Sequence, residues 1–163
     1  MNRRMLMCLP LGLILGGCAA SRPTLYDLSA ISAVKLWTVD FTYETGRTER
    51  TATSEKGAEV KMVTEGIPRR DLKLRDDIAF SLKDQYKLDT LRTKRAGAGS
   101  ILLLPVSVSW GFDSLDVEIL LPDGTTAGRI QIQNGDRPAT FKKDADFAEY
   151  ATKSIAAAIR GGK

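Results

Sequence analysis

The chain has 163 residues, of which 43% are apolar, 7% aromatic and 27% charged, and its formal net charge is +4. This composition excludes collagen-like, disorder-dominated and multi-span membrane proteins. Histidine is absent and the only cysteines are Cys8 and Cys18, which excludes His-based catalytic triads, His-ligated zinc, haem sites and Cys-ligated clusters.

The first residues have the order of a secretory signal peptide. Arg3 and Arg4 precede an apolar run of about eleven residues, which ends in Gly16 and Gly17. The run is too short for a permanent transmembrane helix, and Pro10 interrupts it. We therefore expect residues 1–17 to be a signal peptide.

The LGGC sequence of residues 15–18 resembles the lipobox of bacterial lipoproteins. The resemblance implies cleavage between Gly17 and Cys18, with acyl chains such as palmitate on the cysteine. Ala19 and Ala20 stand where aspartate would retain a lipoprotein in the inner membrane, so the family's sorting rule implies the periplasmic side of the outer membrane. Several acyl chains, at about 0.8 kcal/mol per buried methylene, exceed what stable anchoring needs.

The predicted mature chain is almost neutral. Loss of Arg3 and Arg4 leaves 22 basic and 20 acidic side chains, a net charge of +2, so we expect no nucleic-acid partner. Residues 18–32 show weak periodicity and contain Pro23, which predicts a tether to the membrane. A single globular domain is expected from residue 33 to residue 163.

The first predicted elements are two strands. Trp37, Val39 and Phe41 alternate with polar residues and predict a half-buried strand over 34–43, with a second strand at 58–64. The polar residues 44–57 between them indicate an exposed loop or a hairpin extension.

A helix is predicted over residues 72–88. Its apolar stripe consists of Leu74, Ile78, Leu82 and Tyr86. Phe80 lies opposite that stripe. We expect it to pack against the preceding segment, and the alternative is an exposed contact for a partner.

The clearest predicted strand covers residues 101–112. The side chains expected on the core face are Leu102, Leu104, Val106, Val108, Trp110 and Phe112, and those on the other face are Pro105, Ser107, Ser109 and Gly111. Pro105 indicates an edge position or a bulge.

The remaining elements are a hairpin and a helix. Alternation over 115–121, a Pro-Asp-Gly turn at 122–124 and a strand over 127–133 predict the hairpin. The final helix, over 144–160, has a stripe of Ala148, Ala151, Ile155 and Ile159. The whole order predicts an α+β fold: a mostly antiparallel sheet of about five strands with two helices packed on one face.

This element order, with WTVDF at 37–41, Ala98-Gly99 before a strand and Asp123-Gly124 in a turn, is similar to small periplasmic accessory lipoprotein domains. The resemblance implies a role in secretion or envelope assembly. It contains no diagnostic motif, so it implies no functional residues.

Without histidine or a free cysteine, catalysis in this chain would have to use carboxylates, lysine, tyrosine or a serine assisted by lysine. Asp113, Asp116 and Glu118 are close in sequence and could form an oxygen-only metal site or an acid/base pair, but such residues are more often a solvated strand face. Asp40 is interpreted in the same way, and Ser107 lacks the glycines of a nucleophile elbow. We expect no enzyme, no catalytic residue, no metal and no cofactor.

The resulting hypothesis is a non-enzymatic accessory or scaffold protein of the envelope that acts through protein–protein contacts. Its expected partners are the membrane, through Cys18, and an envelope protein or a second copy of the chain. The alternative is a lipid- or glycan-binding module. Its candidate binding face consists of Ser107, Ser109, Trp110 and Phe112.

Overall fold

The structure is a computed structural model that describes residues 20–42, 47–53, 59–135, 141 and 143–161. The predicted signal peptide, the cleavage site at Gly17 and the lipidation site at Cys18 lie outside these ranges. The elements are β1 (Ala20–Leu25), α1 (Leu28–Ala33), β2 (Leu36–Phe41), β3 (Arg47–Thr53), β4 (Glu59–Glu65), α2 (Arg69–Asp84), β5 (Asp89–Leu91), β6 (Gly99–Val108), β7 (Gly111–Leu120), β8 (Thr126–Gln133) and α3 (Asp144–Ile159).

Six strands form one mixed sheet in the order β1-β8-β7-β6-β2-β5. All neighbours are antiparallel except β2, which is parallel to both β5 and β6. The predicted α+β class with a mostly antiparallel sheet is confirmed. The sheet has six strands instead of about five, and the described chain has three helices instead of two.

A separate hairpin of β3 and β4 occupies part of the region predicted as a loop or a hairpin extension. Of these two alternatives the structure has the hairpin. The predicted strand at 58–64 is confirmed as β4, and the predicted hairpin of β7 and β8 is confirmed as well. Gly124 provides the positive φ of 86° in the turn between β7 and β8.

The hydrophobic core lies between the helices and one face of the sheet. The predicted helix stripes are confirmed, because Leu74, Ile78 and Leu82 of α2 are buried, as are Ala151 and Ile155 of α3. The helix α2 packs over β5, β2 and β6, whereas α3 packs over β1, β8 and β7. The short helix α1 contacts α3 and β8.

The expectation that residues 18–32 are a tether is wrong for residues 20–32. The strand β1 pairs with β8 along its whole length, from Ala20 opposite Gln133 to Leu25 opposite Gly128, and Ile31 of α1 is fully buried. A short edge strand with polar residues on one side has no strong apolar period, so its pairing with β8 does not show in the sequence.

The predicted facing of the 101–112 strand is also wrong. The buried side chains of β6 are Ile101, Leu103 and Pro105, whereas Leu104 and Val106 are 41% and 45% exposed on the opposite face. All four residues from 101 to 104 are apolar, so alternation cannot select the buried face. The predicted bulge is confirmed as a register shift between Val106 and the next residue.

Candidate functional site

The four residues of the predicted binding face do not share a surface. Phe112 belongs to β7, is 1% exposed and stacks on Phe147 with ring centroids 5.5 Å apart. Ser107 is half-buried, and its Oγ donates a hydrogen bond to Oδ1 of buried Asp71 at 2.8 Å. Ser109 and Trp110 form the turn between β6 and β7, where both are exposed.

Two of the candidate carboxylates share a surface. Asp116 and Glu118 lie on the sheet face opposite the helices, while Asp113 is exposed near the start of β7. Oδ1 of Asp40 accepts a hydrogen bond from the backbone N–H of Phe41. Within the described ranges, no group of three or more acidic or cysteine side chains is arranged to hold a metal ion.

Glu118 takes part in a local polar network. Its Oε1 accepts a hydrogen bond from Oγ1 of Thr126 at 3.0 Å. It also accepts hydrogen bonds from the guanidinium of Arg129, the shortest of which is 3.0 Å long. The contact with Glu118 raises the pKa of Arg129, mainly through the hydrogen bond and then through the negative charge of the carboxylate. The arrangement stabilises the β7–β8 hairpin on its solvent side.

A shallow hollow of about 530 Å³ lies over this polar sheet face. Its lining combines charged, polar and apolar side chains from β1, β6, β7 and β8 with Thr42, which follows β2. The residues include Arg22, Thr24, Thr42, Leu104, Asp116, Glu118, Arg129 and Gln131.

A second cluster joins the N-termini of α2 and α3 to the end of β6. Nε of Arg70 donates to Oδ2 of Asp144 at 2.7 Å, and its NH1 group donates to the carbonyl of Val108 at 2.9 Å. The same guanidinium lies 5.7 Å from the centre of the Phe112 ring. These contacts connect α2, α3 and β6 through half-buried polar side chains, which is a structural role.

One flank of the helix layer carries an exposed aromatic side chain. Phe80 on α2 is 70% exposed, so the expectation of local packing is wrong and the alternative of an exposed residue is the one observed. It lies beside a groove of about 510 Å³ between α2 and β5. Asp76, Lys83 and Arg92 also line this groove, and Arg92 contacts Asp76 at 3.4 Å.

The opposite flank carries an apolar groove of about 300 Å³ between β1 and α3. Pro23 and Leu25 form its strand side, and Tyr150, Ala157 and Ala158 form most of its helix side. Sequence reasoning missed this groove because it treated the β1 segment as a tether. The small side chains of α3 were the available signal, since alanines leave room beside a helix.

No protein-family model matches the chain, and no curated protein matches it either. A solved structure of a PelC dodecamer from Paraburkholderia phytofirmans is similar with a TM-score of 0.42 and 13% identity, over 87% of this chain and 95% of that chain. Similarity at this level is too low to transfer residues or functions.

No helix in the described ranges is both long and apolar enough to cross a bilayer.

Proposed function

We propose that the chain is a lipid-anchored, non-enzymatic scaffold of the bacterial envelope, held at the periplasmic side of the outer membrane by acyl chains on Cys18. The LGGC sequence at residues 15–18, followed by Ala19 and Ala20, supports the anchor. The lack of histidine in the sequence supports a role without catalysis. The scaffold works through contacts with a second copy of itself.

The observation that carries the self-contact is the pair of complementary flanks. Phe80 projects from the α2 flank beside β5, and the apolar groove of Pro23, Leu25 and Ala157 lies on the α3 flank beside β1. Because β5 and β1 are the two outer strands of the same sheet, these flanks face in opposite lateral directions. One copy can therefore place its Phe80 in the groove of the next copy.

Burial of an aromatic side chain in an apolar groove stabilises association, because phenylalanine removes a large apolar area from water. Pro23 in β1 is typical of an edge that no further strand extends, so the proposed contact is made by side chains. The two flanks are different surfaces, and the contact is head-to-tail. Repetition of such a contact produces a ring or a filament.

Cysteine crosslinking in cells tests this contact. Cys8 leaves with the signal peptide and Cys18 carries lipid in the proposed protein, so introduced cysteines are its only thiols. We expect chains with Phe80→Cys and chains with Ala157→Cys to form an oxidised dimer when produced together. The control pairs Phe80→Cys with Asp123→Cys in the exposed β7–β8 turn, and it should give no dimer.

A Phe80→Ser variant gives an independent readout. Because Phe80 is mostly exposed, its loss should change the free energy of unfolding by no more than about 0.5 kcal/mol. The molar mass of the lipidated protein in detergent, measured by light scattering, should fall to that of a single copy. Equal crosslinking in both cysteine pairs, or an unchanged mass, would rule out this contact.

A second candidate function, glycan binding, is favoured by the hollow on the polar sheet face. Arg129, Gln131 and Asp116 there offer donors and acceptors that suit sugar hydroxyls, and Leu104 offers an apolar surface. A screen of envelope oligosaccharides should then show binding that Gln131→Ala weakens and Glu149→Ala leaves unchanged. No binding of any oligosaccharide would remove this candidate.

A further inference from the structure

The N-terminal end of β1 lies in a row of residues that crosses four strands of the sheet. Ala20 lies opposite Gln133, Gln133 lies opposite Ser114, and Ser114 lies opposite Val106. These four residues form one row across β1, β8, β7 and β6. The strand β1 begins at Ala20 in this row, so the direction from Leu25 to Ala20 points out of the sheet there.

The tip of the β6–β7 hairpin extends beyond the same row and on the same side of it. Two further residues of β6 follow Val106, and Ser109 and Trp110 then form the turn. At about 3.3 Å per residue, this tip projects roughly 7–10 Å past the row. Cys18 precedes Ala20 by two residues, so it can lie at most about 7 Å from the row.

The exposed aromatic group at this tip is an indole. Trp110 is 37% exposed and belongs to the turn, whereas the chain's other tryptophan, Trp37, is buried. An indole has an apolar ring with one N–H donor and is enriched at the level of lipid headgroups. The short reach between Cys18 and the sheet leaves little room between this end of the domain and a bilayer that holds acyl chains on Cys18.

The geometry points to a lipid surface as the contact of Trp110: the indole inserts into the headgroup region beside the acyl anchor and sets the strands of the sheet steeply to the membrane. This inference rests on the lipid anchor of the proposed function. In that orientation the Phe80 flank and the groove flank both face sideways along the membrane. Copies on one bilayer can then meet through the contact proposed above.

The indole, and not a net charge, makes this contact. Among the residues that the structure describes at this end, the exposed bases Arg69 and Lys143 are matched by the exposed acids Asp113 and Asp146. Arg70 and Asp144 nearby are paired with each other. An uncharged lipid surface is therefore sufficient, and phosphatidylcholine vesicles are an appropriate probe.

Fluorescence quenching by brominated lipid tests the inference on the processed, lipidated full chain. The protein is placed in phosphatidylcholine vesicles with and without bromine on the acyl chains. We expect brominated lipid to remove most of the emission that Trp110 contributes, and Trp110→Phe to abolish the quenching. Trp37 is an internal reference, because its partner Gly99 lies seven residues before Val106, about 23 Å from the row.

A matched control moves the indole to the other end of the sheet. Tyr26 follows β1 and is exposed about 20 Å from the row, so Tyr26→Trp combined with Trp110→Phe should show no quenching. Equal emission of Trp110 in both kinds of vesicle would overturn the inference, as would equal quenching at the two ends. The mass of the N-terminal peptide separates the two proposals: a lipid-free Cys18 overturns the anchor and this inference together, whereas an acylated Cys18 with unquenched Trp110 overturns only the inference.

Discussion

At Gly99 the backbone of β6 lies directly against the indole of Trp37. A Cβ placed on this glycine would be 2.7 Å from one ring carbon of Trp37 and 3.0 Å from the carbonyl oxygen of Leu120. Neither the buried ring nor the backbone can move away at low cost, because both are held in the sheet and the core. The absence of a side chain at residue 99 is therefore a packing requirement.

We predict that Gly99→Ala lowers the free energy of unfolding by about 1–3 kcal/mol, the usual cost of overpacking a core. Gly111→Ala is the matched control, since its Cβ would meet only Oδ1 of Asp144 at 3.5 Å. That variant should differ from the parent by no more than about 0.5 kcal/mol. Urea unfolding of both variants measures the difference, and equal midpoints for the two would contradict the close approach.

Asp27 lies between β1 and α1, and its side chain bonds to the first turn of α1. Its Oδ1 accepts hydrogen bonds from the backbone N–H of Ala30 at 2.9 Å and from Oγ of Ser29 at 2.8 Å. These bonds, the backbone bond first, lower the pKa of Asp27 because they favour its charged form. The carboxylate therefore acts as the N-cap of α1.

The lowered pKa predicts a pH dependence with a definite sign. The unfolded chain has the higher pKa, so the contribution of Asp27 to stability is complete above about pH 4 and is lost as the pH falls through the lowered value. We expect Asp27→Ala to destabilise the protein at pH 7 and the difference from the parent to shrink at pH 2. Glu149→Ala, which removes an exposed carboxylate on α3, should show no such convergence in urea titrations at the two pH values.

At the scale of elements, the sequence predicts the buried face of a strand or helix correctly where apolar residues recur with one clear period. Trp37, Val39 and Phe41 alternate and are all buried in β2, and the stripes of α2 and α3 face the core as their spacing predicts. For β6 the sequence predicted the wrong buried face, because apolar residues occupy both the odd and the even positions of the strand. Only the pairing with β2 and β7 determines which set of alternating side chains the helices cover.

The candidate site depends on β5 and β1, whose sequences show no apolar periodicity. The strand β5 has three residues, and its parallel pairing with β2 requires α2 to cross over the sheet, which the local sequence does not encode. The apolar groove needs β1 beside α3, and these segments are more than a hundred residues apart. Phe80 was the one visible signal, since it broke the stripe of its helix.

At the scale of the whole molecule, the first described strand forms one edge of the sheet. The strand β1 lies beside β8, the last of the described strands, and therefore covers an edge that would otherwise expose the backbone of β8. Leu25 packs against the core, and Ile31 of α1 is fully buried within it. Residues 20–33 are thus part of the folded unit.

The chain that begins at residue 33 tests this conclusion directly. It lacks the β1 partner of β8 and the Ile31 side chain, so we expect it to unfold at a much lower urea concentration than the chain that begins at residue 19, or not to fold cooperatively at all. In the longer chain, Ile31→Ala should cost about 2–5 kcal/mol, the range for deleting a buried isoleucine, whereas the exposed control Lys35→Ala should cost no more than about 0.5 kcal/mol. A tether would predict the same midpoint for both chains, and that result would refute the structural role of β1 and with it the groove to which Phe80 is proposed to bind.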